Sequence, residues 1–316
     1  MNAGINVAIV GSGLIGCSWA VSFARGGCTV KLFDQSAEAS MQALRRVHAV
    51  AAELAGAGLL GDATVEDIAA RVSVSRDLGE AVEAAAHVQE NVSERLEAKM
   101  AVFAELDRLA GPQAILASST SALLPSAFTA HVEGRHRCVV AHPINPPSLI
   151  PAVEIVPAPW TDAETVERTT RLMERIGQRP IRMTREIDGF IVNRLQGALL
   201  QEAFRLVAAG VASPDDVDAG IRDGLAPRWA LVGPFETIDL NAPGGVRDYV
   251  ARYGGMYETI ASGQCRTVGW DGPVLDEIEA ARRSVVPLDQ IPAAQARRDQ
   301  RLMALMAHLR SRSPIV

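Results

Sequence analysis

Through roughly the first 190 residues, short apolar runs alternate with longer stretches in which apolar side chains recur at helical spacing. INVAIV (5–10), TVKLF (29–33), RVSV (71–74), HVQENV (87–92), AILAS (114–118), RCVVAH (137–142) and AVEIV (152–156) read as strands, and the segments between them as helices. Such alternation is the signature of βαβ units. The strands are near-continuous in Val, Ile and Ala instead of alternating with polar residues, which implies a largely parallel sheet covered on both faces. Past Phe190 the pattern turns helical, with hardly a convincing strand. GFIVNRLQGALLQEAFRLVAAG predicts a long helix ending at Gly210, and SPDDVDAGIRDG another, capped by Ser213 with Pro214 in its first turn. The expected fold class is α/β: a doubly wound, largely parallel sheet over 1–188, then an all-helical C-terminal domain over 189–316.

A chain of 316 residues with 48% hydrophobic content can bury a sizeable core in each of two domains. The net charge of -6, with arginines scattered and not in a block, offers no footprint for nucleic acid or an acidic membrane. Cys17, Cys28, Cys138 and Cys265 lie far apart, without ligand spacing, so neither a disulfide framework nor a metal site is expected. The N-terminus lacks a cationic region before its apolar segment, and no apolar run reaches the roughly 18 residues of a membrane span. A cytoplasmic protein with a small-molecule partner is expected.

The first strand runs into Gly11-x-Gly13-x-x-Gly16 and then a helix. In a Rossmann-type unit Gly11 permits the tight turn, Gly13 lets a pyrophosphate approach the backbone, and Gly16 allows helix to pack on strand. The N–H groups of the first turn, around Leu14 and Ile15, and the positive end of the helix then face the phosphates. Asp34 ends the second strand, where a carboxylate accepts the hydroxyls of an adenosine ribose. Gln35 and Ser36 follow, with no arginine for a 2′-phosphate, so NAD is expected over NADP; FAD lacks a second nucleotide-binding stretch.

The remaining chemistry is sparser. His142 closes an apolar strand, at the carboxyl end where open α/β sheets bind ligands. Alone, it is either a satisfied structural residue or a catalytic one. Glu154 shifts that balance, because a carboxylate between Val153 and Ile155 is costly unless paired. A carboxylate beside an imidazole stabilises the imidazolium and fixes its tautomer, the arrangement of a general base for an alcohol proton. Ser118, Ser119, Thr120 and Ser121 supply hydroxyls at another strand end, where the bland alternative is a helix-capping cluster. Asn193, in the apolar GFIVNRL, is an inter-domain hydrogen-bonding candidate or a capped helix entry.

GxGxxG, QENVSERLEAK, SSTSAL, AHPINPPSLIPAVEIV and DGFIVNRL stand in an order and spacing that resembles the 3-hydroxyacyl-CoA dehydrogenase superfamily over nearly the whole chain. The resemblance implies catalytic roles for His142 as base, Glu154 as its partner, and Ser121 and Asn193 as groups holding the reacting oxygen. It also implies that Ser119 belongs to the cofactor site and that Glu94 and Lys99 lie by the nicotinamide half of NAD, against a bland alternative of a helix-start acid and a solvated lysine. HPINPP and GLAPRWALVGPFETIDLNAPGG resemble the λ-crystallin/L-gulonate 3-dehydrogenase branch more than the acyl-CoA enzymes. There Arg228, beside Trp229, becomes a candidate clamp for a free carboxylate, and carnitine 3-dehydrogenases carry a similar Arg-Trp-Ala. The implied activity is NAD-dependent oxidation of the C3 hydroxyl of a small 3-hydroxy acid, L-gulonate foremost. The alternatives are a 3-hydroxyacyl-CoA or carnitine dehydrogenase, and a non-catalytic NAD(H)-binding protein. The family also implies a homodimer formed through the helical domain.

Overall fold

The computed structural model describes residues 4–264 and 267–311, so Cys265 lies outside the described residues. The chain divides into two compact units, Met1–Val192 and Asn193–Val316.

The first unit is a Rossmann-type domain. Its strands are β1 (Asn6–Val10), β2 (Thr29–Phe33), β3 (Val72–Val74), β4 (His87–Glu90), β5 (Ile115–Ser118), β6 (Cys138–Pro143), β7 (Ala152–Pro157) and β8 (Arg179–Arg182). They form one sheet in the order β3-β2-β1-β4-β5-β6-β7-β8. Every neighbouring pair is parallel except β6 and β7. Between them run α1 (Leu14–Arg25), α2 (Ala37–Gly56), α3 (Val65–Arg71), α4 (Leu78–Val82), α5 (Leu96–Leu109), α6 (Pro125–Thr129) and α7 (Ala163–Arg175). The strand order reverses between β1 and β4, and the crevice beyond the carboxyl ends of those two strands is where such sheets hold ligands.

Burial explains why these runs are strands. All four residues of β4 and β5 and all six of β6 are buried, as expected where helices cover both faces. Phe103 and Leu106 of α5 and Phe128 of α6 close one face with Val88, Leu116 and Val140, and the Phe103 and Phe128 rings lie 4.9 Å apart. On α1, Trp19 and Phe23 are fully buried, 5.4 Å apart.

Three local features were not in the expected pattern. RCVVAH and AVEIV pair antiparallel, because the proline-rich segment between them turns the chain back directly instead of crossing over through a helix. β8 was not expected: RPIR is a short edge strand whose two arginines face outward, so it lacks an apolar run. HVQENV ends as a strand at Glu90, since the Asn91 N–H turns to the Val10 carbonyl and the Val92 N–H to the Glu90 carboxylate.

The second unit is helical: α8 (Val192–Ala208), α9 (Pro214–Ala219), α10 (Ala226–Trp229), α11 (Pro234–Leu240), α12 (Gly245–Gly263), α13 (Gly272–Val285) and α14 (Ile291–Arg310), with a π turn over Gly220–Leu225. The long helix starts at Val192 and not at Gly189, because Gly189 and Phe190 both take left-handed φ angles, 74° and 50°. Ser213 caps α9 by accepting the Asp216 N–H. Among the described residues no helix is long and apolar enough to cross a membrane.

Candidate active site

The glycine turn is built as its spacing requires. Gly11 has φ 93°, and a side chain there would press within 2.7 Å of the Asn91 carbonyl oxygen. A Cβ on Gly16 would stand 2.0 Å from the Gly11 carbonyl oxygen, so α1 can approach the turn only without one. Gly13, by contrast, faces open space at the helix entry, leaving the first-turn N–H groups to face a ligand. Gly11, Gly13, Phe33, Asp34 and Gln35 line one cavity of about 550 Å³.

Asp34 is set there by its neighbours. One carboxylate oxygen accepts the Ser12 N–H at 2.8 Å and hydroxyl at 2.9 Å, and the other accepts the Ser36 N–H at 3.1 Å. Partial burial would raise this carboxyl, but those donors outweigh it and hold it below the usual carboxylate value. Lone pairs remain for a ribose diol. The open glycine turn, the helix entry and this acid fit NAD, which would supply a hydride acceptor when bound.

The antiparallel pairing sets His142 directly opposite Glu154. Such partners project to the same face with Cβ atoms about 5 Å apart, and the side chains meet at 2.7 Å, His142 Nδ1 to Glu154 Oε2. Glu154 Oε1 takes the N–H groups of Ile191 at 2.7 Å and Val192 at 2.9 Å. The turn at Gly189 and Phe190 delivers those amides, and the Phe190 ring packs 5.6 Å from the imidazole. Burial alone would raise the Glu154 carboxyl; the His142 bond and both amides hold it below its ordinary value. A carboxyl held below its ordinary value stands as the anion, so the ring proton belongs on Nδ1, facing Oε2. His142 Nε2 is thereby left as the basic nitrogen, and His142 lines a second cavity, of about 240 Å³.

Glu94, Lys99, Ser119 and Ser121 line that same cavity. The capping alternative for the hydroxyls fails, since α6 begins only at Pro125, with Leu124 as its N-cap. Instead the Thr120 hydroxyl donates to Glu94, which also accepts the N–H groups of Ser121 at 2.9 Å and Ala122 at 3.1 Å. Partial burial would raise Glu94; these donors and Lys99 bring it below the usual value. Lys99 is no solvated lysine, being 1% exposed and 3.0 Å from the buried Glu90. Ser119 accepts from Trp19 at 3.0 Å and Gln89 at 2.7 Å and donates to Asn91 at 2.8 Å. That saturates its hydroxyl, so Ser119 shapes the wall and has no further hydrogen bond for a ligand.

Asn193 lies in the first turn of α8, and Arg228 is exposed on α10, both in the second unit. Reading the sequence left out Glu90, Asn91 and Asn145. Asn91 and Asn145 line the 240 Å³ cavity, and Glu90 sits behind Lys99. Glu90 had a usable signal, a charged residue closing a buried strand, which is the same anomaly that marks Glu154.

Residues 6–187 match the family described as 3-hydroxyacyl-CoA dehydrogenase, NAD binding domain, and residues 189–267 match its C-terminal domain. The chain is 45% identical over 311 residues to a lambda-crystallin homolog of Bos taurus, covering 98% of this chain and 96% of that one. It is 36% identical over 248 residues to an L-carnitine dehydrogenase/betainyl-CoA thioesterase of Ruegeria pomeroyi, covering 78% of this chain and 50% of the relative. Among solved structures, an NAD+-dependent dismutase, 5-formyl-3-hydroxy-2-methylpyridine 4-carboxylic acid 5-dehydrogenase, superimposes with a TM-score of 0.83 at 29% identity. That match covers 98% of this chain and all, 100%, of the other.

Proposed function

Because the chain belongs to the 3-hydroxyacyl-CoA dehydrogenase family, in its λ-crystallin branch, we propose that it oxidises the C3 hydroxyl of a small 3-hydroxy acid, L-gulonate first among them. NAD is the cofactor of the family. One observation carries the reading: Glu154 is held by an imidazole N–H and two amides, which leaves His142 Nε2 as a base lining a cavity. In this reading Nε2 takes the proton of the C3 hydroxyl as that carbon gives up its hydride. Glu154 holds the tautomer and balances the charge that His142 gains. Ser121 and Asn193 hold the developing carbonyl oxygen, and Arg228 holds the acid's carboxylate. The cavity is lined by Glu94, Lys99 and the Ser119 and Ser121 side chains, which suits a polar substrate.

A second reading, a carnitine dehydrogenase, is favoured by the likeness to the bifunctional relative that bears that name. The test is NADH production with L-gulonate, carnitine and 3-hydroxybutyryl-CoA offered separately. Turnover fastest on L-gulonate supports the first reading, and turnover fastest on either of the others replaces it. NAD binding without turnover on any of them points to a non-catalytic binder.

The same reading includes a homodimer, since α12 leaves Val250, Tyr253, Met256 and Ile260 between 42% and 54% exposed. A sedimentation coefficient of one copy rejects that part. It also includes a cytoplasmic setting, in keeping with the buried free thiols Cys17, Cys28 and Cys138; a fluorescent fusion seen outside the cytoplasm rejects it.

A further inference from the structure

The charges at the end of β4 do something that proton transfer at His142 does not require. Glu90 is wholly buried, and the Lys99 ammonium lies 3.0 and 3.1 Å from its two oxygens. Glu90 also accepts the Val92 N–H at 2.6 Å and the Ser118 hydroxyl at 2.5 Å. Ser118 Oγ itself accepts the Thr120 N–H at 3.1 Å, so its own proton is available to Glu90. Every partner of Glu90 stands as a donor to it, the pattern of a carboxylate, while burial raises its carboxyl against them.

Lys99 also lies 3.4 Å from Glu94 Oε2, so one ammonium is shared by two carboxylates. Its closer contacts are to Glu90, and one negative charge is left over at Glu94. Glu94 is half-exposed and lines the cavity of His142 and Ser121. A ring that accepts hydride from the carbon whose hydroxyl His142 deprotonates has to stand in that cavity, and so near Glu94.

We propose that Glu90 is a positioning residue: by holding the charge of Lys99 it leaves the cluster with a net negative charge at Glu94, which raises the affinity for the cationic oxidised nicotinamide relative to the neutral reduced one. This rests on the dehydrogenase reading above. The two cofactor forms share their adenosine and pyrophosphate, so the ratio of their affinities isolates the charge on the ring.

The experiment measures Kd for NAD+ and for NADH by calorimetry at one pH. It uses the full chain and three variants: Glu90→Gln, Glu94→Gln and the double variant Glu90→Gln/Lys99→Met. Each single change makes the cluster neutral and is expected to weaken NAD+ relative to NADH by about tenfold. The double variant leaves Glu94 alone and negative again, and its ratio should return to within about threefold of the starting value. A purely structural role for Glu90 would move both constants together. Removing both members of a buried ion pair is tolerated better than removing one, so Glu94→Gln and the double variant decide the matter even where Glu90→Gln does not fold. A ratio unchanged in Glu94→Gln, or a double variant whose ratio does not return, overturns the proposal. If the ratios follow the cluster charge while no hydroxy acid is turned over, the reaction assigned above fails and this inference stands.

Discussion

The two units use burial in opposite ways. The first encloses charge: Glu90, Lys99, His87, His142 and Glu154 are at most 6% exposed, each bonded to a named partner. The second displays apolar surface: Phe235 is 79% exposed and Leu240 59%, and no residue of α12, α13 or α14 is classed as buried. Enclosed polar groups demand fixed geometry, because each lost partner leaves a buried group unsatisfied at a cost of about 1–3 kcal/mol. Displayed apolar groups carry no such constraint, and patches of them mark surfaces that meet other molecules. The contrast places the enclosed, fixed polar groups in the first unit and the displayed apolar surface in the second.

The strongest way to break that contrast is at the base. His142→Gln should lower turnover about a thousandfold, within the range of general-base losses, while NADH still binds with near-unchanged affinity. Steady-state kinetics and a fluorescence titration read the two quantities separately. Turnover that survives the change would move the chemistry away from the enclosed pair altogether.

A second test addresses enclosure without chemistry. His87 is 1% exposed, and Nε2 meets the side-chain amide oxygen of Gln89, Oε1, at 2.9 Å. Gln89 gives its amide to Ser119 and to the Ala141 carbonyl, so His87 must be the donor to it, and Nδ1 has no partner. Burial pushes His87 from 6.5 down to about 4, against the pull of that bond. The folded pKa is the depressed one, so the stability is fully present above the unfolded value near 6.5 and is lost as pH falls toward 4. The loss amounts to roughly 3 kcal/mol over that window. Urea unfolding at several pH values should show this slope in the natural chain and a flatter one in His87→Gln. Parallel slopes would mean that His87 is already solvated.

What the sequence disclosed follows the same division. His142 and Glu154 were readable because a charged residue inside an apolar run needs a partner, and the nearest candidate lay within the same proline-rich stretch. The glycine turn and Asp34 were readable because their spacing is dictated by backbone contacts local to one βαβ unit. The pairing of Lys99 with Glu90 was not, since Glu90 is nine residues back and the two meet only through the packing of α5 on the sheet. The antiparallel turn between β6 and β7 was hidden too, because register there is fixed by cross-strand pairing and not by a short turn motif. β8 was hidden by its outward arginines. In the second unit helix ends could be read from Ser213 and Pro214 alone, but which faces pack could not, since nearly every helix there is apolar on more than its inner side.

The mildest test is whether the second unit serves only for contact. Arg228 is exposed on α10, next to Trp229, which is 37% exposed. A guanidinium keeps its charge at any useful pH and meets a carboxylate through two parallel N–H bonds, which neither lysine nor a neutral side chain reproduces. If it clamps the free acid, Arg228→Met removes a charge-assisted contact made equally in ground and transition states. KM for the acid should then rise about tenfold with kcat nearly unchanged. Arg228→Lys should recover only part of the loss, since it restores charge without the planar fork. An amide of the same hydroxy acid, lacking the carboxylate, should bind the natural chain and Arg228→Met alike. Equal KM values for the acid in both chains would leave Arg228 without a part in recognition and Asn193 as the one residue of the second unit still proposed to touch the substrate.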